Sequence, residues 1–288
     1  MFAVRSRYHL CDLFDIPIYI DISLVLLLVF FVSGGGTFLD GIAMALMLLV
    51  SITAHEFGHA LTARSFGCET RDITLSLLGG CASLIALPRK ASQEFLTALA
   101  GPAVSFALSA AGVVVLAGMV DGGGIIETFD FVWSIVLGSF GINYVPEGSL
   151  VLKEGASHWA CYMVSYFSIM NSVLGIFNLL PGFPLDGGRV FRSAMRSFMS
   201  RAKATYIAMI VGRVVAVAIA LSGVWRIANG RGWGFVTLLI AWMIWKEGYR
   251  EYRLAAMESS WTYGDYRAHV SPPPYGGESE DCDVKRGK

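Results

Sequence analysis

The sequence predicts an all-α polytopic membrane protein of about six transmembrane helices with a small membrane-associated β-hairpin. Three observations carry that expectation. Apolar residues make up 55% of the chain and charged residues only 15%, a balance typical of membrane proteins. Long apolar runs recur without the polar faces that a soluble helix shows at helical spacing. Between Arg71 and Pro88 the pattern is short, partly alternating and broken by Gly79-Gly80, which suits a hairpin.

An apolar helix of about 20 residues crosses the hydrocarbon core, and six runs fit that length approximately. They lie near Ile18 to Val32, Ile42 to Ala63, Phe95 to Met119, Trp159 to Leu180, Thr205 to Trp225 and Trp233 to Trp245. Trp159, Trp225, Trp233 and Trp245 fall near their ends, where indoles favour the water interface. The stretch from Phe129 to Tyr144 reads as an interfacial or re-entrant segment, with a seventh span as the competing reading.

Loop charge sets orientation, because basic loops are retained on the cytoplasmic side. Arg5 and Arg7, then Arg64, Arg71, Arg89 and Lys90, then Arg189, Arg192, Arg196, Arg201 and Lys203 mark the N-terminus and alternate loops as basic. The loop after the third span is acidic and Gly-rich, with Asp121, Glu127 and Asp130. Both termini are therefore expected in the cytoplasm, and an even number of spans agrees by putting them on one side. Residues 1–257 read as the membrane-embedded domain and 258–288 as a polar, disordered cytoplasmic tail. Within that tail, Pro272 to Tyr275 matches a WW-domain ligand pattern and reads as a short polyproline piece.

Other classes lose support at this level. Net charge is zero, so no basic field argues for a nucleic-acid partner. The five cysteines are scattered without a Cys-x-x-Cys pair, which argues against a disulfide framework or a thiolate zinc site. No removable signal peptide is read at the N-terminus.

The second apolar run contains His55-Glu56-Phe57-Gly58-His59. Histidines at i and i+4 project from one helix face, so both imidazoles can reach one metal ion, with the glutamate beside them. By average composition this pattern arises by chance in roughly one chain of this length in a hundred. Helix packing is the ordinary account of a lone histidine in a membrane helix. Here three ionisable groups crowd five residues of an apolar helix, and burying them costs several kcal/mol unless something pairs with them. A divalent metal offsets that cost.

A hydrolytic zinc site takes three protein ligands and leaves a fourth position for water. His9 and His269 lie in the expected cytoplasmic ends, and His158 lies at the opposite membrane face. Asp186 follows the fourth span on the side nearer the histidine pair. It belongs to Phe177-Asn-Leu-Leu-Pro-Gly-Phe-Pro-Leu-Asp-Gly-Gly188, where Pro181 and Pro184 break the helix around protein or a wet cavity. Asp186 is therefore the expected third ligand.

Together these residues resemble the site-2 protease family of intramembrane zinc metalloproteases. That family pairs HExxH on one span with an asparagine and an LDG sequence on a later one, matched here by Asn178 and Leu185-Asp186-Gly187. The resemblance also takes in IPIYIDISLVLLL, Gly79-Gly80 and Gly101-Pro102, and so covers roughly Phe14 to Trp225. It implies one Zn2+ per chain held by His55, His59 and Asp186. It also implies that Glu56 activates water and that Asn178 supports the substrate or the developing oxyanion. The implied partners are a transmembrane protein substrate and the lipid bilayer. Relatives often carry an asparagine where this chain has Ser105, so the resemblance gives that position no role. No segment is long enough for the PDZ or paired CBS domains of many relatives, so regulation is expected from a membrane partner or from the substrate.

Two rival readings stand against the metalloprotease. A metal transporter needs ligands along its path on several spans, whereas this sequence has one cluster, with Arg213 an isolated charge in the fifth run. A catalytically dead membrane receptor would not need Glu56.

Overall fold

The computed structural model describes residues 7–22, 24, 29, 37–76, 79–84, 90–121, 124–140, 142, 144–145, 151–230 and 234–263. Contacts divide the chain into two compact units. One comprises Met1–Leu61, Thr70–Leu84 and Ala100–Ile176, the other Thr62–Glu69, Ile85–Leu99 and Phe177–Lys288.

The first unit opens with β1 (Arg7–Leu13) and β2 (Ile16–Asp21), joined by a turn in which Phe14 and Asp15 have φ of 53° and 60°. Positive φ at both central residues gives the tight hairpin the twist its strands need. Aspartate tolerates it, but phenylalanine is a costly choice there. The Phe14 ring finds compensation edge-on against Phe57 of the histidine motif, with centroids 5.4 Å apart.

Helix α1 (Phe38–Ser65) follows, then β3 (Thr70–Ser76) and β4 (Gly79–Leu84). The four strands form one sheet in the order β1-β2-β3-β4, parallel between β2 and β3 and antiparallel elsewhere. Alternate residues of the two central strands, Ile16, Ile18, Ile73 and Leu75, are buried and pack with Ile52, Phe57 and Ala60 of α1. The sheet thus rests on the helix that carries the motif. The expected hairpin is present, but as half of a larger sheet, which corrects the all-α expectation. Of the first expected span, Ile18 to Asp21 pair in β2, and most of the rest up to Val32 lies outside the described residues.

Helix α1 begins at a reciprocal cap, with Thr37 N donating to Asp40 Oδ2 and Asp40 N to Thr37 Oγ1. It ends where Gly67, at φ 82°, lets Gly67 N reach Arg64 O and Cys68 N reach Ala63 O, the pairing of a Schellman cap. Cys68 is buried and disulfide-bonded, a link the scattered cysteine spacing did not announce.

The unit is completed by α2 (Ala91–Met119) from Ala100 onward, β5 (Val120–Asp121), α3 (Ile125–Ser139), β6 (Val151–Leu152) and α4 (His158–Asn178) up to Ile176. Helix α3 is 15 residues long, about 22 Å, which is short of the roughly 30 Å hydrocarbon core. Small and polar residues knit α1, α2 and α4. Asn171 Nδ2 donates to Ser51 Oγ at 3.0 Å, Ser109 and Ser172 hydroxyls meet at 2.6 Å, and Gly112 leaves room for Ser168.

The second unit holds the start of α2, the loop after α4, then α5 (Asp186–Met195), α6 (Arg201–Ala228) and α7 (Gly234–Tyr263). Gly212 of α6 lies against the backbone of Gly182. Arg213 places its guanidinium 4.7 Å from the Trp245 ring centre and 5.9 Å from that of Tyr249, a cation–π arrangement that accounts for a charge the sequence left unexplained.

Among the described residues four helices, α1, α2, α4 and α6, are long and apolar enough to cross a membrane, against about six expected. Helix α7 starts apolar, but Lys246, Glu247, Arg250, Glu251 and Arg253 dilute its middle. It also continues to Tyr263, past the expected start of the tail at 258, and residues 264–288, with the polyproline piece, lie outside the described residues.

Candidate metal centre

His55, Glu56 and His59 lie on α1 with 3%, 7% and 5% of their surface exposed. The two imidazole centroids are 4.9 Å apart with their planes at 77°, as expected of side chains one turn apart on one helix face. Burial without a partner would be expensive for such groups, so their surroundings decide what they do.

Helix α2 supplies the wall. A Cβ added at Gly101 would stand 2.2 Å from His59 Nε2 and 2.6 Å from His55 Nε2. The missing side chain is therefore the space into which both Nε2 atoms turn. Gly58 answers from the other helix, where an added Cβ would lie 2.8 Å from Ala100 O. The two helices touch at backbone level beside the histidines.

Ser105, one turn beyond Gly101 and fully buried, has its Oγ 2.9 Å from His55 Nδ1. With Nδ1–H donating to that hydroxyl, the proton of His55 sits on Nδ1 and Nε2 is the ring nitrogen that a metal would take. Ser105 is thus the positioning residue to which the resemblance assigned no role. A signal was present in sequence, since Ser105 stands at i+4 from Gly101 and shares its helix face.

Glu56 is met by the sheet. A Cβ on Gly80 of β4 would lie 2.3 Å from Glu56 Cγ and 2.7 Å from its Oε1. The strand backbone thus reaches the carboxylate because residue 80 carries no side chain.

Asp186 is the first residue of α5 and 8% exposed. Tight turns lead to it, with Leu180 N bonded to Phe177 O and Leu185 N to Gly182 O. An added Cβ at Gly187 would stand 2.2 Å from Leu179 O, and one at Gly188 would stand 2.8 Å from the Gly182 carbonyl carbon. The two glycines let α5 fold back on its own loop and fix where Asp186 begins the helix.

His55, His59 and Asp186 form a buried group whose ligand atoms all lie within 4.8 Å of one another, and which could hold a metal ion. Two imidazoles and one carboxylate are a zinc-type donor set with room for a fourth ligand. His9 instead sits on exposed β1, 2.9 Å from Asp12 Oδ1. His158 is exposed at the start of α4, and Asn178 is partly buried at the end of that helix.

A model of peptidase family M50 matches residues 43–221. The Synechocystis sp. protein sll0528, named among the zinc metalloproteases, is 31% identical over 84% of this chain and 58% of its own length. The Mycobacterium tuberculosis protein Rip3, named likewise, is 34% identical over 71% of this chain and 44% of its own length. The chain spans about half the length of the curated relatives it matches. In fold it is similar to the site-2 protease from Methanocaldococcus jannaschii, with a TM-score of 0.54 at 24% identity, covering 86% of this chain and 95% of that one.

Proposed function

The chain belongs to peptidase family M50, and from that premise we propose that it is an intramembrane zinc metalloprotease cutting transmembrane protein substrates within or near their spans. The observation that carries the reading is the convergence of His55, His59 and Asp186 beside a buried Glu56.

The three residues hold one Zn2+ per chain. Bound there, zinc supplies a Lewis acid that polarises a carbonyl and lowers the pKa of a water. Glu56 takes the proton from the attacking water and returns it to the leaving amine nitrogen. Asn178 donates a hydrogen bond to the substrate or to the developing oxyanion. Gly101 and Ser105 keep the imidazoles turned to one point.

A transmembrane helix hides its carbonyls in its own hydrogen bonds, so the substrate must be extended before it can be cut. Strand β4 ends the sheet order, and Gly80 lies against Glu56. That edge receives the extended segment by strand addition, which brings a scissile carbonyl past the general base. Basic loops support cytoplasmic termini and a site open to the cytoplasmic half of the bilayer, with 1–257 as the protease domain.

The test compares membrane proteins cut in cells carrying the native chain and in cells carrying Glu56→Gln. An identical cleavage pattern in both refutes the reading.

A further inference from the structure

Arg192, on α5, has only 3% of its side chain exposed. Its Nη2 is 2.7 Å from Glu94 Oε1 and its Nε donates to the same oxygen at 2.8 Å, while Nη1 reaches Glu251 Oε2 at 3.1 Å. Arg196, just past the end of α5, pairs with the other oxygen of Glu94. Glu94 belongs to the first turn of α2 and Glu251 to α7. Two acids on two helices thus hold one arginine on a third.

Stability alone does not explain this arrangement. Desolvating such a pair offsets most of its Coulomb attraction, and a well-packed apolar pair would hold three helices as well. What the arginine adds is direction. Its planar fork fixes the angle at which α5 meets its acids.

The flat face of the same guanidinium lies 5.0 Å from the centre of the Phe183 ring. Phe183 is 2% exposed and lies three residues before Asp186. Gly188, two residues after Asp186, backs onto the Gly182–Phe183 peptide. Arg192 therefore grips the loop on one side of Asp186 and the helix on the other, and ties both to Glu94 and Glu251.

We propose that Arg192 is a positioning residue for Asp186, setting the third ligand of the metal centre and coupling it to α7 through Glu251. The proposal rests on the zinc reading above. Loss of Arg192 leaves the histidine pair and Ser105 untouched, frees the Asp186 loop from Glu251 and leaves only Arg196 holding α5 to Glu94.

The experiment measures zinc affinity by chelator competition on the purified full-length chain, together with the visible spectrum of its Co2+-substituted form. Arg192→Met is expected to weaken zinc by about 10–100-fold and to change the Co2+ spectrum toward that of Asp186→Ala. Arg192→Lys, which keeps charge without the fork, should recover part of the loss. In an Asp186→Ala background, Arg192→Met should change the remaining affinity by less than about twofold, because the two act through one ligand. Glu251→Gln, at a less buried site, should weaken zinc about threefold, again only while Asp186 is present, and this arm stands if the methionine variant does not fold. Native affinity in both the Arg192→Met and Glu251→Gln proteins, or losses equal with and without Asp186, overturns the proposal. A native chain that binds no zinc, or an Asp186→Ala protein that binds it normally, overturns the zinc reading itself.

Discussion

The α-carbon of Gly101 faces His59 so closely that a methyl group there would stand 2.2 Å from Nε2. Alanine in a helix is about 1 kcal/mol more favourable than glycine, so Gly101→Ala should leave α2 intact while turning both imidazoles away. The expected result is a folded protein that has lost at least about tenfold in zinc affinity. Zinc content and a circular dichroism melt on the same sample decide it, and normal zinc binding would mean that the histidines do not converge there.

Ser105→Ala removes the acceptor for His55 Nδ1–H. We expect zinc affinity to fall by about 10–100-fold with little change in folding, and Ser105→Thr, which keeps a hydroxyl, to restore most of it. A threonine variant as weak as the alanine one would assign the loss to packing.

Glu56→Gln keeps the size of the side chain and removes the proton acceptor. Cleavage of a co-expressed single-span substrate should fall by orders of magnitude while zinc is retained. His55→Ala and Asp186→Ala should lose metal as well, whereas the exposed His158 tolerates alanine. Metal uptake that depends on Glu56 without any cleavage would point to a transporter.

Gly187→Ala meets the Leu179 and Leu180 carbonyl oxygens at 2.2 and 2.3 Å, and backbone cannot swing aside as a side chain does. The loop should open, giving new protease-sensitive sites between Leu179 and Gly188 and loss of zinc. Limited proteolysis with mass mapping is the readout, and an unchanged digest would show that the turn tolerates a side chain.

The proposed topology, read from the basic loops, has both termini in the cytoplasm. A reporter enzyme fused after Lys288 should be active only on the cytoplasmic side. Activity confined to the external face would reverse the topology.

How much of this was legible depended on whether the signal was local. Apolar runs at 42–63, 95–119, 159–180 and 205–225 fall almost wholly within α1, α2, α4 and α6, because helix length against bilayer thickness is a one-dimensional rule. The histidine spacing is equally local. Strand β2 was not legible, since Tyr19 and Ile20 are apolar as well as the buried Ile16 and Ile18, and alternation vanished into the run that follows. Ser105 was legible only as a neighbour of Gly101 on one helix face, since its histidine partner lies 50 residues away. The structural role of Arg192 was hidden likewise, because a basic residue after a span reads as a topology signal while its acids stand 98 and 59 residues off.

Arg213 sits near the middle of α6 with Trp245 and Tyr249 of α7 over its guanidinium. An arginine stays charged at any accessible pH, so neither acid nor base can release this contact. Trp245 and Tyr249 stand one turn apart on α7, so a slip by one turn, about 5.4 Å along the axis, would carry one of the two rings off the guanidinium. The paired rings thus act as a detent that holds the two helices in register.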